Sequence, residues 1–75
     1  MEFVITKIGA EPFNRFLAIT KLGDLWTELF RATRFDTLAT ANNFAESRES
    51  VRILWLDESH PAKWGEVVGQ FPVVR

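Results

Sequence analysis

The stretch GDLWTELFRATRFDTLATANNFAES, residues 23–47, decides what this chain can fold into, because it reads in two ways. At 3.6 residues per turn, Leu25, Trp26, Leu29, Phe30 and Thr33 share a face opposite Thr27, Glu28, Arg31 and Arg34, a helix pattern. At period two, Leu25, Leu29, Thr33 and Phe35 alternate with Trp26, Phe30 and Ala32, so a strand here would be apolar on both faces. Local punctuation favours the strand. Gly23-Asp24 places glycine at the first central position of a type II′ hairpin turn, which sends the apolar run 16–22 back as a second strand. Thr27, Phe30, Thr33 and Phe35 are β-prone residues. Phe35-Asp36-Thr37 then reads as a fresh helix start, an apolar residue followed by capping side chains. In that helix Leu38, Ala41, Phe44 and Ala45 form one stripe, with Thr40, Asn43, Ser47 and Arg48 facing water. The pair Asn42-Asn43 lowers helix propensity and is expected on or near the solvent side.

The flanks agree with a sheet. EFVITKIG opens with β-branched residues and closes on Gly9, and AEPFN marks a loop. VRILWL, residues 51–56, is apolar on both faces, as a central strand would be. In the tail, Ser59 or His60 can cap, Pro61 suits a first helical position, and Gly69 suits a stop. Trp64, Val67, Val68 and Phe71 follow i, i+3, i+4, i+7 spacing. These signs predict a short helix over about 61–68 and an extended end, although Gly65 weakens the helix by roughly 1 kcal/mol. The expected fold is a single α+β domain spanning residues 1–75. It has a small antiparallel sheet, one main helix packed on one face (β-β-β-α-β), and a short C-terminal helix or extended tail. The alternative is a largely helical domain, should residues 24–34 be helical.

Residues 23–47 followed by VRILWL resemble an arrangement found in many small phage and prophage proteins. Its parts are a Trp-bearing hairpin, Ala-x-x-Phe-x-Thr, an Ala-x-x-Phe-Ala helix and a strand, and the likeness covers residues 16–57. Some virally encoded inhibitors of host factors, including anti-CRISPR proteins, are similar in size and build. The resemblance implies a small viral or mobile-element inhibitor and carries no site residues with it.

Seventy-five residues without cysteine must be held together by apolar burial, with neither a disulfide nor a thiolate metal site to help. Seven Phe and three Trp supply that area. A formal net charge of −1 neither attracts a polyanion nor mimics one. The opening MEFVITKIGAEPF lacks a basic region before a long apolar segment, and no run is long enough to span a bilayer, so a cytoplasmic protein is expected.

Chemistry finds little to work with. Asp57, Glu58, Ser59 and His60 contain the types of a triad, but neighbouring side chains diverge where a triad must converge. They read as a polar turn. One His without Cys is a poor metal set, and the GxxxG spacing of Gly65 and Gly69 matches no nucleotide loop. No catalytic residue, metal or cofactor is expected.

What remains is surface logic. A sheet apolar on both faces with one helix needs a cover for its second face. Candidates are the 64–71 stripe folding back, which favours a monomer, a second copy in a homodimer, or a partner protein. The chain therefore reads as a non-catalytic protein-binding module, with Trp26, Phe30, Arg31, Arg34 and Trp55 as candidate binding residues, since Trp and Arg are enriched at interface hot spots. The competing reading is a small nucleic-acid-binding protein that stacks bases on the same aromatic and arginine-bearing face. Glu28, Asp36, Glu46 and Glu49 weaken the field such binding needs.

Overall fold

A computed structural model describes residues 2–11, 14–57 and 66–75. Five strands, β1 (Glu2–Lys7), β2 (Phe16–Thr20), β3 (Gly23–Thr27), β4 (Val51–Asp57) and β5 (Glu66–Phe71), form one sheet in the order β3-β2-β1-β4-β5. All neighbouring pairs are antiparallel. A 3-10 turn (Leu29–Arg31) and a helix, α1 (Leu38–Ala45), lie between β3 and β4. The fold is α+β, with the helix packed against the sheet.

Side-chain alternation along the strands builds two apolar layers. On the helix side, Phe3, Ile5, Leu17, Val51 and Ile53 pack with Phe35, Ala41 and Ala45. On the other side, Val4, Leu54 and Leu56 pack with Ala32, and Leu29 and Phe16 close against them. β1 is the middle strand, so four consecutive residues, Phe3 to Thr6, are buried. Ala41 and Ala45, fully buried, are the small residues that let the helix approach the sheet closely. Thr37 caps it as expected, its hydroxyl accepting from the Thr40 N–H at 3.1 Å.

The ambiguous stretch resolves into a crossing. β1 and β2 pair at Thr6 and Phe16, where the Lys7 N–H donates to the Arg15 carbonyl at 2.7 Å. Further along, residues 33–35 lie between them. The Thr33 N–H donates to the Leu17 carbonyl at 3.0 Å, and the Thr33 hydroxyl accepts from the Ile19 N–H at 2.8 Å. On the other edge, Phe35 and Phe3 exchange two backbone bonds of 2.9 Å. Leu29 and Ala32 pack on one side of the sheet and Phe35 on the other. The chain therefore passes through the sheet here, from the uncovered side to the helix side. The expected strand ends at Thr27, short of Phe35, because a continuous strand could not change sides.

Three further expectations change. The hairpin turn is centred on Lys21-Leu22, with Thr20 opposite Gly23, rather than on Gly23-Asp24. Neither central residue takes a positive φ; Gly23, at φ +119°, absorbs the bend that follows. Next, residues 66–68, expected at the end of a helix, open β5, while 61–65 lie outside the described residues. Val67 and Val68 are β-branched, and the ladder bonds offered by β4 outweigh a helical spacing interrupted by glycine. β5 therefore widens the sheet instead of folding over its second face, and part of that face is closed by the 29–32 turn. The place of Trp64 in the proposed stripe lies outside the described residues.

The third change concerns Asn42. Its amide grips the extended C-terminal tail: Nδ2 donates to the Val74 carbonyl at 2.9 Å, and Oδ1 accepts from the Val74 N–H at 2.8 Å. This pairing imitates one rung of a β-ladder and holds Val73 against the helix-side core. Asn42 is thus a structural residue, whereas Asn43 is exposed. Asn42→Ala should lower stability by about 1–2 kcal/mol, the worth of two neutral hydrogen bonds. Asn43→Ala should leave it unchanged or slightly raised through helix propensity. Urea midpoints of the two variants check this; equal midpoints would show that the tail grip contributes nothing.

Candidate functional site

The β2–β3 hairpin carries the most exposed apolar side chain of the described residues. Leu22 is fully exposed (102%), Leu25 is 49% exposed and Ile19 36%. The turn that presents them is braced from within. The Thr20 hydroxyl donates to the Gly23 carbonyl at 2.8 Å and accepts from the Leu22 N–H at 3.2 Å. A two-bond brace costs nothing further when a ligand arrives, since the loop is already ordered. β3 is also an edge strand, with no neighbour on its outer side among the described residues. Such an edge offers a row of backbone donors and acceptors to another chain.

The five residues expected to bind do not form one patch. Trp26 and Trp55 both lie on the helix side, half-buried against the core. They sit on β3 and β4, three strand spacings apart, or roughly 14 Å. The Lys7 ammonium lies over the Trp26 ring, 5.3 Å from its centroid, and Trp55 faces Gly69 across the β4–β5 ladder. Phe30 and Arg31 form an exposed knob on the 3-10 turn, the guanidinium 5.5 Å from the Phe30 ring centre. Arg34 belongs to the crossing: it pairs with Glu2 at 3.5 Å and donates to the Leu29 carbonyl at 3.2 Å. Partial burial pulls its pKa below the usual guanidinium range, though not far enough to cost its charge.

Electrostatics isolates one strong pair. Arg48, just after α1, donates through Nε and Nη2 to the two carboxylate oxygens of Asp24, both at 2.7 Å. It also donates to the Phe44 carbonyl at the helix end. The hydrogen bonds from Arg48 hold the Asp24 carboxyl below the usual aspartate range, and those same bonds raise the Arg48 pKa. The pair straps the hairpin edge to the helix, which places the exposed apolar turn at a fixed angle to the domain. Arg48 was expected to face water; its partner lies 24 residues away in sequence, beyond any local pattern.

Among the described residues no cluster of three or more His, Asp or Glu could hold a metal. Glu58, Ser59 and His60 lie outside them, and so does Gly65. Gly69 sits in β5 and not in a helix. Among the described residues, no helix is long and apolar enough to cross a membrane. Compared with known proteins, the chain matches no family model, no curated protein and no solved structure.

Sequence reasoning missed Leu22 because the turn was placed two residues late. An apolar residue at the centre of a tight turn was the available signal.

The strap generates a pH prediction. Asp24 has a folded pKa below its unfolded value, so its contribution is complete above the unfolded value of roughly 4 and is lost as pH falls through the folded one. A double-mutant cycle with Asp24→Asn and Arg48→Gln should give a coupling of about 0.5–1 kcal/mol at pH 7, the usual range for a largely exposed pair. It should shrink progressively as pH falls below the unfolded value and Asp24 becomes protonated. A coupling that does not change with pH would mean that the pair carries no charge-dependent stability.

Proposed function

We propose that this chain is a non-catalytic protein-binding module whose contact surface is the β2–β3 hairpin, with Leu22 as its anchor. The observation that carries the reading is the braced turn holding a fully exposed leucine beside a strand edge that has no neighbour among the described residues. Leu22 contributes nothing to the core, and an ordered apolar side chain at the tip of an edge hairpin is suited to insertion into a pocket on a partner. Leu25 lies opposite Ala18 and so on the side of the sheet away from the helix, and the 3-10 turn bearing Phe30 and Arg31 covers that same side. These residues extend the anchor into an apolar strip with a cationic end. The small phage-type inhibitor implied by the resemblance fits this mode of action, which is occlusion of a host protein's surface in the cytoplasm.

Nucleic-acid binding draws less support. Arg34 and Arg48 are both paired with carboxylates, and the two tryptophans are packed beside the helix instead of sharing an open face with Phe30.

The test uses three proteins. Tagged wild-type chain, Leu22→Asp and Asn43→Asp are used to capture partners from a lysate of the host. Discrete bands retained by wild type and by Asn43→Asp, but lost with Leu22→Asp at an unchanged melting temperature, are the expected result. Equal capture by Leu22→Asp would move the contact surface away from the hairpin.

A further inference from the structure

Among the described residues, the second face of the sheet is closed at one end only. Over Val4, Leu54 and Leu56 it is covered by the 29–32 turn. At the other end, where Thr6 stands opposite Arg52, it opens into a cleft of about 250 Å³ lined by Arg15, Arg52, Gln70, Thr6, Gly9 and Leu54 among others. Arg52 and Gln70 also border an adjoining hollow of about 210 Å³ next to Phe71 and Pro72.

The cations in this cleft differ from the others discussed. Arg34 and Arg48 are paired with Glu2 and Asp24. The Lys7 ammonium turns away to the opposite side of the sheet, over Trp26. Among the described residues, Arg15 and Arg52 have no ion pair and no carboxylate borders the cleft. Both are nonetheless held in place by neutral acceptors. Arg15 donates through Nε and Nη2 to the Ala10 carbonyl at 3.3 and 3.1 Å, and Arg52 donates through Nη1 to the Gln70 Oε1 at 3.2 Å. A guanidinium has five N–H donors, so each keeps several unused. With Oε1 turned to Arg52, the Gln70 amide presents its N–H₂ as a further donor.

We propose that this cleft is a binding site for a phosphate monoester or free phosphate. Two pre-positioned guanidinium groups supply two positive charges and surplus donors, with no anion among the described residues to consume them. A dianion with three terminal acceptor oxygens matches both counts, whereas a carboxylate or a phosphodiester carries one negative charge. The volume is below that of sites for drug-sized ligands, so it takes a phosphoryl group rather than a whole cofactor. The site is separate from the hairpin anchor and does not depend on the protein-binding reading.

The test is a titration of ¹⁵N-labelled full-length chain at constant ionic strength, in parallel arms with inorganic phosphate, phenyl phosphate and dimethyl phosphate, sodium chloride serving as the balance. Inorganic and phenyl phosphate should shift the Gly9, Arg52 and Gln70 signals saturably, and more tightly at pH 7.5 than at pH 5.5 as the second phosphate proton leaves. Affinity should fall at least tenfold in Arg52→Gln and in Arg15→Gln. Arg15→Lys, which keeps the charge, should retain binding if Arg15→Gln loses it without unfolding. Non-saturating shifts, shifts spread equally over Lys21, Arg31 and Arg75, or unchanged affinity in either glutamine variant would overturn the site. Equal binding of dimethyl phosphate would overturn the monoester assignment and point to nucleic-acid backbone instead. Loss of partner capture by Leu22→Asp alone bears only on the hairpin.

Discussion

The fold depends on the place where the chain passes through its own sheet. β1 and β2 pair at a single residue pair, Thr6 with Phe16, so the ladder between them alone would hold the hairpin to the sheet only weakly. Residues 33–35 supply the missing contact by bonding to Leu17 and Ile19 on one side and to Phe3 on the other. Phe3, Leu17 and Phe35 are buried beside an apolar core, where an unmade backbone hydrogen bond costs free energy comparable to the bond itself. Phe35 then closes the helix-side layer, 5.3 Å from the Phe44 ring. Arg34, the residue before it, faces the other way to reach Glu2. One extended segment thus joins two strands, two apolar layers and a salt bridge.

Much of this was legible in local chemistry. The strands at residues 2–7, 16–20 and 51–57 follow from β-branched and aromatic runs, and the helix start follows from Thr37. The sequence gives the period of a segment but not the side of the sheet on which it runs. Leu29, Phe30 and Thr33 fitted a helix because they are three and four apart. In the structure they serve three different tasks: Leu29 closes the second face, Phe30 is exposed, and Thr33 accepts a strand N–H. The spacing at 67, 68 and 71 misled for a similar reason. An edge strand beside Leu56, Trp55 and Ile53 needs apolar residues too, and its bulge between Trp55 and Leu56 breaks the alternation that would have marked it as a strand.

The candidate site was less legible than the fold, and the arginines show why. Arg34, Arg48 and Arg52 each have an acidic residue within three positions in sequence, so local charge does not separate them. What separates them is the presence of a carboxylate brought close by folding: Glu2 for Arg34 and Asp24 for Arg48. Both partners come from distant strands, so no window along the chain could have sorted structural arginines from available ones. The half-buried position of the two tryptophans, against the helix-side core, has a related cause. A domain this small, lacking disulfides, needs large aromatics for its own core, and Trp26 and Trp55 are used there.

A marginal domain that leaves Leu22 and Leu25 in water accepts a real risk, because an edge strand with apolar flanks invites pairing with any extended chain. The two ends of this sheet meet that risk differently. β5 carries a bulge, which twists an edge away from a flat template. β3 has a regular register from Phe16–Thr27 through Thr20–Gly23 and no bulge in it. Its one charged residue, Asp24, is drawn sideways by Arg48 towards the helix, and so does less to guard the edge. Removing the strap would free that carboxylate to defend the edge but would loosen the hairpin from the helix. The arrangement favours a rigid, available edge over a protected one. Under the docking role proposed above, it is the fixed angle of the hairpin, set by the Asp24–Arg48 pair, and not its hydrophobicity alone, that would decide which partner surface it fits.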